Sequence, residues 1–217
     1  LVGPGTFTNA EAFDLNSNSG LDLSQGVVVT GDIEMGGGSL RSSGGAKFKG
    51  SMKLTADTSV QVAEGQIMNF DGPAISLEAY TLTVTGAGTL SNPRGFVLGD
   101  PSSVLKLTGR NTINGPVSLN AGTVDVDETS TLISDLTLGG SATIDVASGR
   151  TFSYGGLALS LGENSLTLTG GGILSNTNSL TLGNASSVLK LAGANTVSGP
   201  IALTAGTLDI DEDSVIS

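Results

Sequence analysis

The feature that most constrains this chain is an internal period. Shifted by 84 residues, the sequence matches itself without a gap: Ser76–Leu132 aligns with Ser160–Ile216, and 31 of the 57 pairs are identical. Several of the remaining pairs exchange one aliphatic residue for another, as Val84 with Leu168 and Val126 with Ile210. The register runs backward through Ser51–Ile75 against Asp135–Leu159, and residues 1–50 fit the same frame with one residue missing near Ser19. Long periods of this kind belong to stacked arrays, in which a unit buries its inner face only against its neighbours. The chain therefore reads as one continuous array over residues 1–217: a partial repeat over 1–50, a full repeat over 51–134 and a further repeat over 135–217. It is expected to be a piece of a longer array.

A finer period lies inside each unit. Residues 123–140, 141–164, 165–184 and 185–206 form four segments of 18, 24, 20 and 22 residues, each with three short alternating stretches separated by Gly, Asn, Asp or Ser. Alternation assigns faces, because successive side chains on a strand point to opposite sides. In Val104-Leu105-Lys106-Leu107 the leucines point inward, since a lysine is not buried without a partner. The same logic gives the inward pairs Leu82/Val84, Val124/Val126, Ile144/Val146, Leu166/Leu168, Leu189/Leu191 and Leu208/Ile210. No stretch keeps a helical period over ten residues. The pattern predicts an all-β fold, a right-handed parallel β-helix (β-solenoid) with three short strands per coil of 18–24 residues and four coils per repeat. A β-sandwich is the competing fold, but in-register coils of this length favour the solenoid.

Composition narrows the function. The chain has no Cys and no His, so it lacks thiolate chemistry and both the commonest general base and the commonest transition-metal ligand. Its net charge of -11 disfavours nucleic acid and anionic membranes, which attract clustered Lys and Arg. The one basic run, Arg41 with Lys47, Lys49 and Lys53, is dilute and reads as a solvated edge. No apolar stretch approaches the ~20 residues of a membrane helix, so direct insertion of this segment is not expected. Gly86-Ala87-Gly88 and Gly170-Gly171-Gly172 read as turns, because no helix follows that could hold a phosphate. Asn92, Asn176, Asn111 and Asn195 recur in frame as corner caps.

The outward position of one strand per coil reads Asp22, Arg41, Gln61, Thr83, Lys106, Asp125, Asp145, Thr167, Lys190 and Asp209. Stacked in parallel, these make one exposed column in which Asp22 meets Arg41, Lys106 meets Asp125, and Lys190 meets Asp209. Such pairs serve register more than bulk stability, at ~0.2–1 kcal/mol each. The densest acidic clusters are Asp125, Asp127 and Glu128, and Asp209, Asp211 and Glu212. Carboxylate oxygens suit Ca²⁺, so these are weak calcium candidates. The reading that needs least is a solvated acidic turn, with no cofactor and no metal. As a glycosidase pair the same carboxylates lack a cleft and a neighbouring arginine. No catalytic residue is assigned, and the chain is read as a non-enzyme.

The stretches LKLTGRNTINGPVSLNAGTVDV (Leu105–Val126) and LKLAGANTVSGPIALTAGTLDI (Leu189–Ile210) resemble the passenger-associated transport repeat, or autotransporter-associated β-strand repeat, of bacterial autotransporters. The positions carrying the resemblance are Leu189, Leu191, Gly193, Asn195, Thr196, Gly199, Ala205, Gly206, Thr207 and Leu208. Ile113 and Val197 stand where that family has Tyr, and Pro116 and Pro200 where it has a second Gly. The resemblance covers about a quarter of each 84-residue unit. It implies a parallel β-helix in a protein exported across a bacterial outer membrane. The expected role is a structural or adhesive shaft, extracellular or at the bacterial cell surface. The alternatives are a building block of a self-assembling fibre or sheath, and a glycan-binding or polysaccharide-active β-helix. Expected partners are other copies, through the ends or sides of the rod, and a host or environmental glycan or surface ligand.

Overall fold

The computed structural model describes residues 5–217 apart from Ala10, Gln25 and Glu212. Strands alternating apolar and polar residues pair in parallel and wind into a three-faced solenoid, with no helix among the described residues. The first face stacks eleven strands, from Gly5–Thr8 to Val215–Ile216. A second face, called here the charged face, stacks ten strands from Gly20–Leu23 to Thr207–Ile210. The third face is interrupted. It consists of three separate sheets, ending and resuming between Met52–Leu54 and Ile75–Ser76, and again between Leu136–Leu138 and Leu159–Ser160. The two interruptions lie 84 residues apart, so they belong to the repeat.

The core is a set of aliphatic columns inside the coil. Leu82, Leu105, Val124 and Ile144 lie in register on consecutive strands and are at most 1% exposed. Full burial of each such side chain stabilises by about 1.5–3 kcal/mol. All the expected inward pairs are buried except Leu208 and Ile210, which sit on the last strand of their face with no strand beyond them. The first face adds a stacked aromatic pair: Phe48 and Phe70 face each other across adjacent strands with centroids 4.7 Å apart and planes at 10°.

The asparagines do more than cap corners. Asn111 is buried and donates from Nδ2 to the Val84 carbonyl of the preceding coil and to the Gly109 carbonyl, both at 2.9 Å. Asn195 repeats this with the carbonyls of Leu168 at 3.1 Å and Ala192 at 3.2 Å. Asn92, fully buried, donates to the Pro73 carbonyl at 2.9 Å. These amides tie one coil to the last where the ladder turns a corner. The same corner explains Gly115 and Gly199, at φ 151° and 136°: a Cβ would stand 1.9 Å from the Asn92 carbonyl oxygen and 2.0 Å from that of Asn176.

One coil junction per repeat departs from simple stacking. On the charged face Gln61 pairs with Thr85 rather than Thr83, and Asp145 with Thr169 rather than Thr167. The expected outward column is corrected at these two points: it slips by two residues at each. The slip occurs at the same coil junctions as the two gaps in the third face. A tight turn follows the short strand of the third face there. Tyr80 N–H closes on the Leu77 carbonyl at 2.9 Å, and Asn164 N–H on the Leu161 carbonyl at 3.0 Å. Glu78 takes a left-handed φ of 49° in the first turn, where the equivalent residue in the second is Gly162 at 56°.

Two stability predictions follow from these positions. Glu78→Gly relieves a conformation that non-glycine residues rarely adopt, and is expected to raise stability by about 0.5–1 kcal/mol, read as an upward shift of the thermal midpoint. Ser42 lies between Leu23 and Val62 in an aliphatic column, 2% exposed, with no hydrogen-bond partner for its Oγ. Ser42→Ala removes that unsatisfied hydroxyl and is expected to stabilise by about 1 kcal/mol in urea unfolding. A loss of stability in either variant would show that the native side chain makes a stabilising contact.

Candidate functional site: charge clamps and the interrupted face

The charged face brings together the residues expected to pair. Lys106 lies opposite Asp125, Lys190 opposite Asp209, and Asp22 opposite Arg41, each on adjacent strands. Lys106 Nζ stands 2.5 Å from Asp125 Oδ2 and also 2.8 Å from Asp127 Oδ2. Lys190 does the same, 3.3 Å from Asp209 and 3.0 Å from Asp211. Each ammonium is thus a clamp over two carboxylates two residues apart on the next coil, both on the outer side of the strand. At the second slipped junction a hydroxyl takes the place of the ammonium, with Thr169 Oγ1 donating to Asp145 Oδ1 at 2.7 Å.

Asp127 and Asp211 were legible only as acidic turn residues or calcium ligands; the lysine as their partner was not. Glu128 likewise faces Arg150, at 3.1 Å. Among the described residues no three His, Cys, Asp or Glu side chains converge to hold a metal ion. The cation between Asp125 and Asp127, and between Asp209 and Asp211, is the lysine ammonium. Glu212, the remaining calcium candidate, lies outside the described residues. Further ion pairs link Lys47 to Asp71 at 2.6 Å and Lys53 to Glu34 at 3.6 Å.

The hydrogen bonds it donates to Asp125 and then Asp127 hold the Lys106 ammonium above the ordinary lysine pKa, and those to Asp211 and then Asp209 do the same for Lys190. A raised lysine pKa contributes stability that is fully present below 10.5 and is lost as pH rises through the folded value. A double-mutant cycle with Lys106→Met and Asp125→Asn should therefore give a coupling of ~0.2–1 kcal/mol at neutral pH and low salt. The coupling should shrink in 1 M salt and vanish well above pH 10.5. A coupling unchanged by salt and alkali would mean that packing, not charge, joins these coils.

Two adjoining depressions lie at the interrupted face. At the first interruption a depression of about 450 Å³ is lined by Lys53, Thr55, Ser76, Glu78 and Tyr80, among others. A neighbouring depression of about 580 Å³ lies at the adjacent corner, against Asp71, Pro73 and Arg94. Ala74 borders both. Among the described residues neither Glu78 nor Arg94 makes an ion pair. Nothing in the sequence pattern marked this region, because the alternating stretches look alike whether or not the ladder joins them.

Against protein-family models, curated proteins and solved structures, the chain finds no match.

Proposed function

We propose that this chain is a length of non-catalytic shaft in a protein held outside the cell, at a bacterial surface, where its stiffness carries an adhesive or structural load. The observation that carries this reading is continuity: two parallel ladders run through every described coil over one unbroken aliphatic core. The charge clamps recur once per repeat, which fits a rod lengthened by whole units. The resemblance of Leu189–Leu208 to the passenger-associated repeat supports placement on an exported protein. The strong negative charge and the absence of His support a role other than nucleic-acid binding or acid–base chemistry.

A second reading, a block of a laterally packed fibre, is favoured by Ile133 and Leu157, 51% and 71% exposed on the same corner of successive coils. Electron microscopy of the full-length protein separates the two. Isolated rods support the shaft, whereas bundles that dissolve in an Ile133→Ser, Leu157→Ser variant support the fibre.

Deleting residues 76–159 removes one repeat and joins Ile75 to Ser160 in frame. The product should fold and be shorter by roughly 19 Å, from four coils at the ~4.8 Å interstrand spacing. Small-angle scattering reads that length, and a collapsed or unshortened particle would remove the basis for the shaft. Immunogold labelling of intact cells tests location; label that appears only after lysis would overturn the surface reading.

A further inference from the structure

The two interruptions of the third face are built from the same frame but differ in chemistry. At the second, side-chain amides bond main-chain carbonyls of the preceding coil. Asn164 donates from Nδ2 to the Leu138 carbonyl at 3.3 Å, and Asn178 donates to the Gly156 carbonyl. Gly162 makes the turn at φ 56° without strain. At the first interruption the equivalent positions hold Tyr80, Arg94 and Glu78, and Lys53 stands where the second has Thr137. Two amides, a glycine and a threonine are replaced by an aromatic and three ionisable side chains. The gap is left open as a trough.

Glu78 is the telling residue. It holds the left-handed conformation that its sister position assigns to glycine, so the chain keeps a carboxylate there at a conformational cost. That carboxylate borders the trough with Lys53 and the hydroxyls of Thr55 and Ser76. The Tyr80 ring, half-buried against the core, supplies an apolar flank with a polar tip. Lys53 is shared with Glu34, with which it pairs at 3.6 Å, so the trough has no excess positive charge to favour a polyanion. A carboxylate, an ammonium and two hydroxyls beside an aromatic ring match a ligand presenting many hydroxyls on a flat, uncharged body. The adjoining depression continues past Ala74, giving room for more than one unit of a chain.

We propose that the first interruption of the third face is a binding site for a neutral oligosaccharide or polysaccharide chain, with Glu78 and Lys53 bonding its hydroxyls and Tyr80 packing against a sugar ring. This goes beyond the reading as a shaft, which requires no ligand.

The test uses the second copy as its own control. Glu78→Gly, Tyr80→Asn and Lys53→Thr each install the residue that the other interruption already carries, so each is compatible with the fold. The probes are hexasaccharides of β-1,4-linked glucose, β-1,3-linked glucose and α-1,6-linked mannose, with a hexauronate for comparison, titrated calorimetrically. At least one neutral hexamer should bind one site at roughly 0.1–1 mM. Glu78→Gly and Tyr80→Asn should each weaken it tenfold or more while the thermal midpoint holds or rises. The reciprocal triple variant Thr137→Lys, Gly162→Glu, Asn164→Tyr should raise the stoichiometry from one to two. Binding of the hexauronate alone, no binding of any neutral hexamer, or equal affinity in the Glu78→Gly and Tyr80→Asn variants would overturn the proposal. The rod lengths measured on the deletion variant are independent of all these outcomes, so failure here leaves the shaft reading intact.

Discussion

A coil of this solenoid cannot bury its own inner face, and that single constraint sets the rest. Leu105 is covered only because Leu82 lies under it and Val124 over it. Stability therefore accumulates between coils rather than within them, and the structure needs each coil to meet its neighbour in one register. The aliphatic columns supply most of the energy but little of that precision. A shift of two residues along a strand returns apolar to apolar and polar to polar, so the hydrophobic term barely distinguishes the two alignments. Polar groups make the distinction. The corner amides of Asn111 and Asn195 each reach one carbonyl of the coil before, and the ammoniums of Lys106 and Lys190 tie their strands to the carboxylates of the next.

The same blindness to two-residue shifts explains what could be read from the sequence. Alternation alone placed Leu105 and Leu107 inside and Lys106 outside, and the 84-residue self-match gave the stacking. It also placed Lys106 beside Asp125 and Lys190 beside Asp209, because the coils between them are short and uniform. The reading failed at Gln61 and Asp145, where the next strand is displaced by two positions: Thr83 and Thr85 satisfy the alternation equally well. The double grip on Asp127 and Asp211 was missed for a related reason. A lysine side chain spans two outward positions, whereas a one-residue column assigns it one.

The trough beside Tyr80 was beyond sequence reasoning of this kind. It exists because one ladder stops for one coil junction, and stopping leaves no mark on apolar periodicity. The trace lies in a comparison of copies, most plainly of Glu78 with Gly162, a carboxylate in one where the other has no side chain. Within a repeat protein such mismatches separate what the fold requires from what a single copy has been given in addition.

The periodic gap in the third face also gives the rod a mechanical grain. Most coil junctions are joined by three ladders, but those between Met52–Leu54 and Ile75–Ser76, and between Leu136–Leu138 and Leu159–Ser160, are joined by two. Tension along the axis loads every junction equally, so the joints with two ladders yield first. The clamps lie elsewhere, at Lys106 and Lys190, inside the blocks those joints delimit. A pulled rod would thus come apart in blocks of four coils, each with its ladders whole, like the segments of a telescoping mast rather than an unravelling thread.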